Sequence, residues 1–389
     1  MSPLATPLAI VGILFTSGLY LLHVLSLFYS RYKLHKPVTR LSEYMGVSIL
    51  KPLVGTDPSL HANLRSFFTL DYPKYELLFC VHDGNDEALL VVKQLMRQFP
   101  RVDARIFIGG ESVGLNPKIN NMMPAYRASE YPLILISDSG MYMRPEAVTD
   151  MEAVMLPGVA LVTQTPFCKD RSGFGSELEQ MYFGTSHARI YLAGNLLDFV
   201  CSTGMSSMIR KEALEECGGM GAFGDFLAED YFFGKELMAR GWKCGLASLP
   251  AMQNSGAVTP ESFDARVARW MKLRFAMLPH IIVVEPMQDW VTSMAIISGS
   301  LYHLFGIPFL STALVHTVFW IASDYTLFTN MSDRKPASFY SWIRTWLRRE
   351  LFAPRSYINA VRFPDICWRK GTYRLEWGGR IKPVRIEDN

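Results

Sequence analysis

The stretch Tyr131–Gly140, "YPLILISDSG", decides the fold. Four apolar residues, Leu133 to Ile136, lie between Pro132 and the turn formers Ser137 to Gly140. A short unbroken apolar run bounded in this way fits a strand buried on both faces, the central position in a parallel sheet. The run ends in a lone carboxylate, Asp138, and ligands of open α/β sheets bind beyond the carboxyl ends of such strands. Asp138 before Ser139 and Gly140 reads equally well as a turn residue. It is a metal site with one ligand, a pseudo-site or only a turn.

Outward from this stretch, residues from about 45 to 280 alternate strand and helix signals. "VSILKPL" is a strand ending near Pro52, and "YELLFCVHDG" is a second one ending at Asp83. The segment "DEALLVVKQLMRQF" follows, with Leu89, Val92, Leu95, Met96 and Phe99 on one helical face. "DARIFIG", a helix from about Ile119 and then "LILIS" continue the pattern. The expectation is an α/β fold whose mostly parallel sheet is covered by helices on both faces.

The chain has 389 residues, enough for one large domain or two ordinary ones, and a net charge of +3 that gives no sign of a nucleic-acid binder. Its 49% hydrophobic content is the more telling figure, because the excess gathers in two places. No Asp, Glu, Lys or Arg precedes Arg31, and "LAIVGILFTSGLYLLHVLSLFY" supplies 22 residues. That is enough to cross roughly 30 Å of hydrocarbon, and it exceeds the ~7–15-residue core of a signal peptide. A second uncharged run covers Trp290 to Ser323, with Gly306-Ile307-Pro308 as a break that favours a hairpin continuing past Asp324 at the interface.

Arg31, Lys33, Lys36 and Arg40 follow the first run, and the tail after Asn330 holds thirteen Lys/Arg against six Asp/Glu. Three spans put both basic regions on the cytosolic side. The expected division is an anchor over 7–29, a cytosolic domain over 31–289 and two spans over 290–328 that break near 306–308. A cytosolic tail over 329–389 completes it. The tail segment "YSWIRTWLRRELFAPRSYINAV" mixes aromatics and arginines as an interfacial helix does. The six cysteines show no C-x-x-C spacing and fit a reduced compartment, and the Asn330-Met331-Ser332 sequon falls on the cytosolic side, where it stays bare.

Several residues are candidates for chemistry. Asp83 in "VHDGND" is an Asx turn or a nucleotide contact at a strand end. Asp138 alone suits Mg²⁺, which is held by one or two carboxylates plus phosphate and water, and Gly140 would let backbone approach a ligand. Glu229 and Asp230 open a helix that runs to about Arg240. They are dipole partners there, or one of them is a general base. Arg266, Arg269 and Trp270 in "RVARW" share a helical face. They form a diphosphate clamp with an indole cover, or part of a basic helix at a membrane surface. Lys118 in "NPKINN" is a phosphate or base contact, or a solvated surface lysine. His187 and Cys201 are nucleophile or ligand candidates without a partner at a diagnostic spacing.

In order, Asp83, Asp138, Asp230 and Arg266-x-x-Arg269-Trp270 resemble the D, D, D, Q/RxxRW signature of inverting glycosyltransferases with a GT-A domain. The words "LKPLVGTDPSLHANLRSFFTLDYPKYELLFCV", "NPKINN", "FGTSHAR", "AEDYF" and "AMQNSG" resemble the ceramide glucosyltransferase family, and the likeness runs through nearly the whole chain. The resemblance implies transfer of glucose from UDP-glucose to the primary hydroxyl of ceramide with inversion, the first glycosylation step of glycosphingolipid synthesis. It implies Asp83 at the uridine and Asp138 with Mg²⁺ or Mn²⁺ at the diphosphate. Asp230 would be the general base, and Arg266, Arg269 and Trp270 would lie at the pyrophosphate and acceptor. Beside these, Lys118 is a donor-binding candidate, and His187 and Cys201 are candidates for the acceptor or its pocket.

The Asp-Ser-Gly form is similar to the family's own metal motif, so the resemblance implies a metal site with one protein carboxylate at Asp138. Gly84 and Asn85 depart from a more acidic family pattern. The family also implies a multi-pass Golgi protein among membrane lipids, catalytic domain cytosolic and N-terminus lumenal. Alternatives are a polyprenyl-phosphate sugar synthase, a polysaccharide synthase and a catalytically inactive lipid-binding protein.

Overall fold

A computed structural model describes residues 4–169, 172–256, 258–368 and 371–384. Parts of the expected tail, 369–370 and 385–389, lie outside the described residues. After a long first helix α1 (Ala5–Lys33), the alternating half contains β1 (Val47–Leu53), α2 (Leu60–Phe68), β2 (Tyr75–Val81), α3 (Ala88–Gln98), β3 (Ala104–Ile108), α4 (Pro117–Ala128) and β4 (Leu133–Ser137). The next part holds β5 (Met141–Tyr142), α5 (Ala147–Val154), β6 (Val159–Thr163), β7 (Pro166–Cys168), α6 (Phe174–Gly184), α7 (Ser186–Leu196) and β8 (Ser206–Arg210). It ends with α8 (Lys211–Glu216), α9 (Glu229–Ala239), β9 (Lys243–Leu246) and β10 (Ala251–Gln253).

A 7-stranded sheet in the order β3-β2-β1-β4-β8-β6-β9 forms the centre. All pairs are parallel except those of β8, which runs antiparallel between β4 and β6. The apolar runs explain its two covered faces, since successive side chains alternate sides. Ile49, Leu77, Phe79 and Leu135 meet α2, α3 and α5, whereas Leu50, Leu78, Ile134 and Ile136 meet α4, α8 and α9. Each such fully buried side chain contributes about 1.5–3 kcal/mol. The registers Pro52–Cys80 and Leu50–Ile136 bring the carboxyl ends of β1, β2 and β4 to one edge.

The rest of the chain is α10 (Pro260–Met277), α11 (Ile281–Met287), α12 (Trp290–Phe305), α13 (Phe309–Ser332), α14 (Phe339–Arg362) and the strands β11 (Ile366–Trp368), β12 (Gly371–Leu375) and β13 (Ile381–Pro383). The expected break is present: Gly306 ends α12 in the left-handed conformation at φ 69°, and Pro308 caps α13. Among the described residues one helix, α1, is long and apolar enough to cross a membrane. Helix α12 has 16 residues, about 24 Å at 1.5 Å per residue, which is short of ~30 Å.

Asp324, expected at an interface, is fully buried on α13. Arg189 of α7 and Arg349 of α14 form ion pairs with it, and Trp346 Nε1 donates to it at 2.8 Å. Helix α14 buries Trp342, Trp346 and Ala360 against the protein and turns Leu347, Leu351 and Ile358 outward. The three-stranded antiparallel tail sheet was not anticipated; Ile366 and Ile381 pack there on Leu227 and Leu273.

Candidate active site

Lys118 sits at the middle of the site. Its helix begins at Asn116, whose side chain accepts hydrogen bonds from the backbone N–H groups of Lys118 and Ile119, with Pro117 in the first turn. This cap directs Lys118 inward, where its ammonium lies 2.9 Å from Asp138 Oδ1, 2.9 Å from Glu229 Oε1 and 3.0 Å from the Gly204 carbonyl. Burial works to lower the lysine pKa, but Asp138 and Glu229 outweigh it and hold the ammonium charged, well above the usual range. The lysine read as a possible surface residue is 7% exposed.

Around it, the loop after β4, the turn before β8 and the start of α9 converge. Asp230 accepts from the Gly204 N–H through Oδ2 and from the Tyr231 N–H through Oδ1, at 2.8 Å in the second case. Burial first, then the neighbouring Glu229, raise the Asp230 carboxyl to about 6 against the pull of Lys118. Gly204 leaves room for this arrangement, because a Cβ there would lie 2.8 Å from Lys118 Nζ and would push the ammonium aside. Gly140 has the same kind of reason: a Cβ would meet Ser255 Oγ at 2.8 Å, so packing against the strand β10 loop explains it.

A charged side chain beside the site that sequence reasoning missed is Lys51. It is fully buried in β1, and its ammonium donates to the Asp138 carbonyl at 2.6 Å and stands 3.9 Å over the Phe67 ring. Burial pulls its pKa down to about 7. The available signal was a charge inside an apolar strand, which has to find a partner.

Helix α10 brings in the other wall. Arg266 forms an ion pair with the buried Glu179 and lies 4.8 Å over the Trp270 ring. Trp270 stacks on Tyr182 at 5.8 Å. Arg269 has no hydrogen bond or ion pair among the described residues, and burial, with Arg266 adding, lowers its pKa while Asp138 opposes. Arg269 is thus the guanidinium left for an anion. The cleft of about 540 Å³ is lined by Lys118, Asp138, Asp230, Arg266, Arg269 and Trp270 together.

His187 and Cys201 line the same cleft. The His187 ring stacks on Tyr191 at 4.6 Å, and its buried Nδ1 has no partner among the described residues. Burial and Arg274 push its pKa down to about 3, so it stays neutral. The Cys201 thiol is buried and pushed up to about 12, which removes it as a nucleophile. Asp83 is not brought into the lining. It is exposed beyond β2 and accepts from the Asn85 N–H at 2.9 Å, an Asx turn.

Among the described residues no three His, Cys, Asp or Glu side chains cluster to cage a metal. The Asp138 side chain is 40% exposed, with Oδ1 on Lys118 and no hydrogen bond at Oδ2 among the described residues. That donor set fits a cation taken by one carboxylate oxygen together with phosphate oxygens.

The model of the family described as Glycosyl transferase family 21 matches residues 18–381. Ceramide glucosyltransferase 3 of Caenorhabditis elegans is 55% identical over 383 residues, which are 98% of this chain and 83% of that protein. Ceramide glucosyltransferase 1 of the same organism is 51% identical over 96% of this chain and 81% of its own length. A mannosyltransferase from Pyrobaculum calidifontis, in complex with GDP-Man and Mn²⁺, superposes with a TM-score of 0.50 at 16% identity, covering 91% of this chain and 99% of the other. This last likeness shows a shared fold.

Proposed function

The chain belongs to glycosyl transferase family 21, and from that premise we propose that it transfers glucose from UDP-glucose to the primary hydroxyl of ceramide, giving β-glucosylceramide. The observation that carries the reading is 55% identity, over 98% of the chain, to a protein named for that activity. The cleft supplies residues suited to it.

Inversion takes a single displacement. The ceramide oxygen attacks the anomeric carbon, its proton passes to Asp230, and the bond from that carbon to the diphosphate oxygen breaks with the electron pair leaving on UDP. A base with a pKa near 6 is ionised at neutral pH yet still basic enough to take the proton. The two N–H donors fix its carboxylate. Arg269 neutralises charge on the departing diphosphate, and Arg266, tied to Glu179, keeps the Trp270 ring in place at the acceptor side. Mg²⁺ or Mn²⁺ on Asp138 would supply further charge neutralisation at the diphosphate. Lys51 and Lys118 hold that aspartate's main chain and side chain. Asp83 lies outside the cleft lining, and its proposed role at the uridine part of the donor rests on its place beyond the carboxyl end of β2, beside the ends of β1 and β4.

Membrane placement follows the apolar segments. Helix α1 crosses the bilayer with its N-terminus lumenal and Arg31 to Arg40 cytosolic, and α12 and α13 form a shorter hairpin beside it. The domain over 31–289 and the tail then face the cytosol of a Golgi membrane, where UDP-glucose meets a lipid acceptor. The test is purified full-length protein in detergent, given labelled UDP-glucose or UDP-galactose and ceramide. β-Glucosylceramide formed from UDP-glucose is expected; no glycosylated ceramide overturns the proposal.

A further inference from the structure

A second cavity of about 470 Å³ adjoins the cleft. One wall comes from α1 and α7, with Leu19 and Leu22 in the middle of α1, and the other from α10 and α14, with Val267, Met271, Phe352 and Ala353. Tyr182, His187, Ile190, Val200, Cys201 and Arg274 line both spaces, so only these side chains separate the cavity from the cleft that Asp230 and Trp270 line. A charged nucleotide sugar does not account for this second space. The arginines on its wall are already paired: Arg189 and Arg349 with Asp324, Arg274 with Glu285, Arg348 with Asp264. An anionic ligand would find no free guanidinium among them.

We propose that this cavity holds one hydrocarbon chain of the acceptor, reached sideways from the bilayer along α1; the inference rests on the reading of the acceptor as ceramide. Its volume lies within the ~300–1,000 Å³ of ligand sites, a size for one chain rather than the whole lipid. Each methylene enclosed leaves water for a mostly apolar wall, which favours binding in proportion to the chain length taken up. The chain acts as a ruler: its burial brings the hydroxyl to Asp230, and the wall residues of α10 and α14 set the length preference.

Val267 and Ala353 are partly exposed wall positions outside the catalytic set, so larger side chains there narrow the cavity with little demand on the core. The experiment measures kcat and KM of full-length Val267→Trp, Ala353→Phe and Phe352→Ala on two acceptor series, one varied in N-acyl length and one in sphingoid-base length. The narrowing variants are expected to lose about tenfold or more in kcat/KM on long chains relative to short ones, through KM, with KM for UDP-glucose unchanged. Phe352→Ala should shift the preference to longer chains. Dependence on either series supports the proposal and identifies the enclosed chain. Length profiles of wild-type shape in all three variants overturn it, whereas a wild type that glucosylates no ceramide at all overturns the functional reading instead.

Discussion

The ammonium of Lys118 and the carboxylate of Glu229 lie 2.9 Å apart, both buried, across the join between α4 and α9. Asn116 Nδ2 donates to the other oxygen of Glu229 at 3.1 Å. Both carboxylates line the cleft, but Glu229 is buried and tied to Lys118 and Asn116, which makes it the structural member of the pair, whereas Asp230 is the more exposed of the two.

Glu229→Gln removes one of two countercharges from a buried lysine. It should cost about 3 kcal/mol of stability, measured by denaturant or thermal unfolding in detergent, and lower activity by displacing Lys118. A stability change under ~0.5 kcal/mol would remove Glu229 from this role.

Asp230→Asn keeps the shape and loses the base. We expect kcat to fall by about 10²–10⁴-fold, with UDP-glucose binding by calorimetry nearly intact. Retention of more than about a tenth of wild-type turnover argues for the helix-dipole role, worth only ~0.3–1 kcal/mol of stability.

The raised carboxyl of Asp230 predicts opposite trends in activity and stability. As pH falls through about 6, Asp230 becomes protonated and kcat/KM should decline. The native state binds this proton more tightly than the unfolded chain does, so its contribution makes stability fall as pH rises from the ordinary carboxylate range to about 6. Asp230→Asn should remove both dependences, and an unchanged acid limb in its residual activity would assign that limb elsewhere.

Asp138→Ala should abolish most of the response to added Mg²⁺ or Mn²⁺ and raise KM for UDP-glucose, because Arg269 alone then faces the diphosphate. An unaltered metal titration would move the cation to other oxygens. Lys51→Met serves as the companion variant. It frees the Asp138 carbonyl from its 2.6 Å contact and should weaken metal response less than Asp138→Ala does.

The parallel half of the fold was legible because its strands are unbroken apolar runs and Leu89, Val92 and Leu95 repeat at helical spacing. "RVARW" was legible for the same reason, since i, i+3 and i+4 share a face. The antiparallel insertion of β8 was not, because "SSMIR" carries no mark of its partners β4 and β6. Nor could spacing distinguish Glu229 from Asp230, when the decision rests on Lys118 more than a hundred residues away. Lys51 was visible only as a charge out of place. The tail sheet depends on contacts with α10 that local propensity does not encode.

The ion cluster at Asp324 has a mechanical consequence. It fastens the apolar hairpin to α7 beneath the cleft and to α14 outside it, so buried ion pairs join the apolar helices to the wall of the cleft. A chain shortened to end before Trp290 would leave Arg189 buried without its countercharge and the inner face of α7 open to water. Trimming away the hydrophobic helices therefore yields an unstable fragment, and the route to a water-soluble form of this protein runs through repainting the outer faces of α1, α12 and α13 with polar residues while keeping all three in place.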